Sequence, residues 1–135
     1  MNLGHRIATW LGRKDQPKHL RRGAQGEELA RKHLQKLGLK FLTANFKSKR
    51  GEIDLIFRDD DCLVFVEVKT RANEDWVRPA AAVNARKRKL LSKTAADYLA
   101  TLADRRVKYR FDIMEVLLDD EGLKEIRHLP NVDMP

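Results

Sequence analysis

RGEIDLIFRDDDCLVFVEVKTR, residues 50–71, is the stretch on which the reading of the whole chain turns. Two apolar runs, Ile53 to Phe57 and Leu63 to Val68, flank the polar turn Arg58-Asp59-Asp60-Asp61, the pattern of a β-hairpin. Alternate side chains of a strand share a face, so Val64, Val66 and Val68 point one way and Glu67 and Lys69 the other. Near-continuous apolar runs belong to strands covered on both faces. Charges placed inside such a run cost stability unless they meet a partner or an ion. Asp54 interrupts the first run as Glu67 interrupts the second. Two carboxylates and one ammonium are therefore expected to converge at one end of a sheet.

Outward from the hairpin, Lys40–Phe46 reads as a preceding strand. Before it, Gln25 to Leu37 has helical periodicity, with Ala30, Leu34 and Leu37 on the apolar side and Gly38 as the stop. Glu27 falls on that apolar stripe, where it either ligates a metal or supplies a favourable charge to the first helical turn. Residues 80–102 read as a long helix, with Ala82, Leu90, Ala95, Tyr98 and Leu102 on its apolar side. A strand near Val107–Leu118, the turn Asp119-Asp120-Glu121-Gly122 and a short strand near Leu123–Arg127 complete the chain. The order α-β-β-β-α-β-β makes an α/β domain with a mixed sheet. Residues 1–22 read as a basic arm and 23–135 as the domain.

The 135 residues fit one domain, and 42% hydrophobic content supports a modest core. A single cysteine, Cys62, excludes an internal disulfide framework and a multi-cysteine zinc finger. No run approaches the roughly 18–20 apolar residues that span a bilayer. The start of the chain lacks the pattern of a secretory signal, so a soluble, cytoplasmic protein is expected. The formal charge is +8, and it is unevenly placed. Residues 1–23 carry six basic side chains against one acidic, 31–50 seven against none, and 69–93 eight against two. Residues 51–68 reverse this, with six acids against Arg58 alone. An acidic island between basic stretches suits a protein that handles phosphodiesters, with carboxylates for a metal and cations for the backbone; solvated charge blocks are the plain alternative.

The island's content suits metal-assisted phosphodiester hydrolysis. Mg²⁺ takes hard oxygen ligands, usually one or two carboxylates with water and substrate phosphate. The metal polarises a phosphoryl oxygen and acidifies a bound water. Lys69 can orient that water or offset charge developing on the phosphate. The plain alternative is a Glu67–Lys69 pair that neutralises itself.

GEIDLIF followed by FVEVKTR resembles the PD-(D/E)XK nuclease superfamily, and more narrowly the bacterial YraN-type uncharacterised protein family, itself similar to archaeal Holliday junction resolvases. The resemblance runs from Gly26-Glu27-Glu28-Leu29-Ala30 to Arg110-Phe111-Asp112-Ile113. It implies a restriction endonuclease-like three-layer α/β/α core around the mixed sheet. It also implies Asp54 as the first metal-binding acid, Glu67 as the second, Lys69 as the catalytic lysine and Glu27 as the helical glutamate of the resolvase-like branch. Ile53 stands where the nominal motif has proline.

The activity so implied is a Mg²⁺- or Mn²⁺-dependent endodeoxyribonuclease on branched or structured DNA; the alternatives are a non-catalytic nucleic-acid-binding module and a protein adaptor that docks through the acidic segment 112–133. Arg21, Arg22, Arg50, Arg71, Arg78 and Lys87 are the expected phosphate contacts. A homodimer is expected by analogy, because a four-way junction offers two equivalent cuts. Arg110 and Asp112 are expected to pair within the sheet, Trp76 to cap the core and Cys62 to be a small buried hydrophobe. The four histidines lack ligand spacing.

Overall fold

The helix expected from Gln25 starts earlier, and α1 runs from Lys18 to Lys36. The structure is a computed structural model that describes residues 18–72, 84–104 and 106–134. Residues 18–22, assigned above to the arm, are thus helical, and 1–17 lie outside the described residues, as do Trp76, Arg78 and Ala82. Gly26 sits inside the helix because a Cβ there would stand 2.0 Å from Thr70 Oγ1. It is a point of close approach between helix and sheet, and its helix-breaking tendency of about 1 kcal/mol is overridden by packing. The helix stops as expected at Gly38, whose φ is +98°. There the Gly38 N–H donates to Gln35 O and the Leu39 N–H to Leu34 O, the paired bonds of a Schellman stop. That turn leaves Leu37 57% exposed, contrary to its expected place on the stripe, and Leu39 is buried beside Leu34 instead.

After α1 come β1 (Lys40–Ser48), β2 (Gly51–Asp59), β3 (Cys62–Arg71), α2 (Ala85–Leu99), β4 (Lys108–Asp119) and β5 (Gly122–Leu129). The expected element order holds, with most strands one or two residues longer at their ends. The sheet order is β1-β2-β3-β4-β5. Every neighbouring pair is antiparallel except β3 and β4, which are parallel and therefore need the crossover that contains α2. Ala30 and Leu34 of α1 pack on Leu55, Phe57, Val64, Val66, Met114 and Val116. On the opposite face, Leu91 and Ala95 of α2 pack on Ile53, Ile56, Leu63, Phe65, Phe111 and Ile113. These are the three layers of a restriction endonuclease-like α/β/α core.

Two details of side-chain placement differ from expectation. Leu91, one residue on from the expected Leu90, is the buried leucine of α2, and Leu90 is 42% exposed. The helix face is set by Leu91, Thr94, Ala95 and Tyr98, a cleaner i, i+3, i+4, i+7 series than one built on Leu90. Cys62, the first residue of β3, is only half-buried. No helix among the described residues is long and apolar enough to cross a membrane.

What positions the site is an early end to one ladder. The β2–β3 pairing runs from Asp59↔Cys62 to Leu55↔Val66 and stops there. Ile53 joins the same apolar cluster as Ile56, three residues on, so strict alternation is lost where β2 parts from β3. Asp54 stands at that parting.

Candidate active site

With no β2 carbonyl to meet it, the Val68 N–H donates to Asp54 Oδ2 at 2.8 Å. The side chain continues the ladder that the backbone has left, which fixes its direction toward β3. Glu67 lies one residue before Val68 on the opposite face, beyond Leu63 and Phe65, and is 4% exposed. The Glu67 carboxyl is close enough to act on Asp54 both through its charge and as a hydrogen-bonding neighbour. Burial pushes Asp54 up to about 9, and the hydrogen bond and charge of Glu67 add to the rise against the pull of the Val68 N–H. Like charges this close share a proton or need a cation between them.

Among the described residues, Glu67 Oε2 is buried and accepts no well-directed hydrogen bond. Two ammonium groups approach it, Lys87 Nζ at 2.7 Å and Lys69 Nζ at 3.8 Å. The 2.7 Å contact is an ion pair lacking hydrogen-bond angles, so the buried oxygen gains charge compensation without a directed donor. Burial depresses Lys69, helped by the neighbouring Lys87 and Arg71 cations and opposed by Glu67. Burial also works against the Lys87 ammonium, but Glu67 more than compensates and its pKa is raised.

A cavity of about 330 Å³ opens over the pair, lined by Arg22, Glu27, Asp54, Glu67, Lys69, Arg71 and Lys87. The sheet end and α1 thus bring together all four expected catalytic residues. The Glu27 carboxyl is raised by burial and by the charges of Glu52 and Glu67. Its entry into the cavity depends on the Gly26–Thr70 contact, which holds this turn of α1 against β3. A second cavity, about 270 Å³, reaches Asp54 and Glu67 from the side of Glu52, Leu91 and Thr94, and Lys87 lines it too. Lys87 is aimed by its helix end: Asn84 caps α2 by accepting the Lys87 N–H at 2.9 Å.

The expected phosphate contacts divide. Arg22, Arg71 and Lys87 line the larger cavity, although Arg22 also lies 3.4 Å from Asp120. Arg21 faces elsewhere, toward Asp119 and Asp120 at the β4–β5 turn. Arg50 donates to Asp97 Oδ1 at 2.6 Å and Oδ2 at 3.1 Å, a bidentate clamp tying the β1–β2 turn to α2. Arg78 lies outside the described residues. Arg110 and Asp112 pair within the sheet as expected, at 3.0 Å. One acid escaped the reading. Glu115 is 3% exposed, opposite Lys69 in the β3–β4 register, and burial raises its carboxyl. Its signal was present, an acid inside the apolar run Ile113 to Leu118, the same mark that singles out Glu67.

Among the described residues no three acids, histidines or cysteines form a ready-made metal cage. Asp54 and Glu67 still fit a Mg²⁺ or Mn²⁺ ion. They offer hard oxygens, one of them buried and unsatisfied, and such ions are often held by two carboxylates with water and substrate phosphate.

Residues 26–116 match the uncharacterised protein family UPF0102. A UPF0102 protein of Chlorobaculum tepidum is 39% identical over 112 residues, covering 79% of this chain and 87% of its own. One from Caldanaerobacter subterraneus is 41% identical over 111 residues, covering 81% and 91%. One from Coxiella burnetii is 44% identical over 99 residues, covering 72% and 82%. The matched span holds Glu27, Asp54, Glu67, Lys69 and Lys87.

Proposed function

The chain belongs to the uncharacterised protein family UPF0102, and from the site it carries we propose that it is a Mg²⁺- or Mn²⁺-dependent endodeoxyribonuclease of the PD-(D/E)XK superfamily. The observation that carries this reading is the buried Asp54–Glu67 pair, whose Glu67 oxygen has ion-pair partners but no directed hydrogen bond among the described residues, set beside a half-buried lysine in a cation-lined cavity. A structural pair would be expected to satisfy its oxygens.

When bound, the ion supplies Lewis-acid polarisation of the phosphoryl group and acidification of a water. Asp54 and Glu67 would hold it, with Glu27, which lines the same cavity, assisting. The Val68 N–H keeps Asp54 in place through its Oδ2. Lys69 positions the attacking water and offsets the charge that grows on the phosphate. Arg22, Arg71 and the exposed basic first turn of α2 grip the flanking backbone, giving affinity that depends on salt and little on sequence. Branched or otherwise structured DNA is the proposed substrate, acted on in the cytoplasm by a two-fold dimer that matches the symmetry of a four-way junction.

The test is cleavage of linear duplex, single-stranded, flap and four-way junction DNA in Mg²⁺ or Mn²⁺. Glu67→Ala and Lys69→Ala should each lose at least about a hundredfold in rate. Both should bind the uncleaved DNA within about threefold of wild type, since the backbone grip is elsewhere. Absence of cleavage of every substrate by the wild type, or undiminished cleavage by both variants, would remove the reading.

A further inference from the structure

The cation nearest the carboxylate pair is Lys87, which comes from a different element. Its ammonium stands 2.7 Å from the buried Glu67 Oε2, nearer than Lys69 at 3.8 Å. It lines both cavities that reach Asp54 and Glu67, so it sits where they meet. The contact is short but poorly directed, the mark of a charge held by attraction and not locked by hydrogen bonding. The lysine stem is also free to leave. Lys87 lies in the first turn of α2, its side chain 45% exposed against 22% for Lys69, with its backbone N–H tied down by Asn84 and its side chain, among the described residues, paired with Glu67.

We infer that Lys87 is a resident monovalent counter-ion of the site, which a divalent ion displaces from Glu67 and which then swings toward the cavity mouth to meet substrate phosphate. This deepens the proposed function and rests on it. The reasoning is one of mutual exclusion. A divalent ion bound to Glu67 Oε2 brings two positive charges to the oxygen that the ammonium now neutralises, and at such separations the two cations repel strongly. The displaced ammonium has somewhere to go, since the larger cavity already gathers Arg22 and Arg71 on the side open to a phosphate. A metal-free protein thereby keeps its buried carboxylates compensated, and a loaded one gains a phosphate contact.

The consequence is competition, read by titrating Mn²⁺ alone into the full-length protein in a calorimeter. Lys87→Met removes the competitor and should tighten Mn²⁺ binding about tenfold, the scale expected for one partly exposed ion pair. Lys87→Arg keeps the charge and should stay within about twofold of wild type. Circular dichroism confirms that each variant is folded, as expected for an exposed position on α2. Equal Mn²⁺ affinity in wild type and Lys87→Met overturns the counter-ion role and leaves the metal site standing. Failure of wild type and Lys87→Met alike to bind Mn²⁺ overturns both.

Discussion

Asp112 on β4 and Glu67 on β3 are buried alike, at 1% and 4% exposure, yet their surroundings treat them in opposite ways. Asp112 receives the Arg110 guanidinium, His128 Nε2 at 2.8 Å and the Asn131 N–H at 2.9 Å. Burial raises its carboxyl, but those three partners outweigh burial and the net shift is downward. The Glu67 pair has one oxygen without a directed hydrogen bond among the described residues, ammonium groups at 2.7 Å (Lys87) and 3.8 Å (Lys69), and a partner acid driven up to about 9. One acid is completed by the protein and holds β4 to β5 and the chain's final turn. The other is left incomplete, and an incomplete buried acid points to a ligand.

The sharpest break in the comparison is mutational. Asp112→Ala removes the acceptor of His128 and of the Asn131 N–H and leaves Arg110 with Asp59, and it should cost about 3 kcal/mol in urea unfolding. Glu67→Gln keeps the shape and removes a charge that the metal-free protein offsets with partly exposed ammonium groups, and it should stay within about 1 kcal/mol of wild type. Equal losses in the two variants would erase the distinction between them.

How much of this contrast was legible in the sequence depends on its range. Asp54, Glu67 and Lys69 lie within sixteen consecutive residues, and strand alternation alone places them at one sheet end. The α-β-β-β-α-β-β order follows from the same local periodicities. Contacts set by tertiary packing were not legible. Gly26 reads as an ordinary position of the helix, and the need for glycine there shows only once Thr70 is seen against it. Arg50 reads as a free cation until Asp97, 47 residues on, is found clamped to it. Lys87 was placed as a phosphate contact, and its present partner, Glu67, is visible only once α2 is packed on the sheet. Leu37 and Leu90 show the finer limit, because a helix stop or a one-residue rotation moves a leucine from core to solvent.

The opposite pKa shifts predict opposite pH responses. Asp54 has a native value near 9 against an ordinary 3.8, so the metal-free native state holds a proton that the unfolded chain has released. Its contribution is therefore greatest below about pH 4 and is lost as pH rises toward 9. Asp54→Asn should flatten that decline and stabilise the metal-free protein by about 1 kcal/mol or more at pH 8. Asp112 is shifted downward, so its contribution is present above its ordinary value and is lost as acid protonates it in the native state. Urea unfolding from pH 3 to 9 on wild type and Asp54→Asn checks both signs.

A smaller effect separates the arginines. Arg71 lines the cavity, so Arg71→Ala should lower the slope of log binding constant against log salt by about 1 on duplex DNA. Arg50→Ala should leave that slope unchanged, because its guanidinium already serves Asp97.

The central claim, that the incomplete pair is built for a metal, is tested most directly by calorimetric titration of Mn²⁺ into wild type and Asp54→Ala at pH 7.5. The account predicts saturable heat in the wild type that Asp54→Ala loses. No saturable binding by the wild type, or equal binding by the variant, would contradict it.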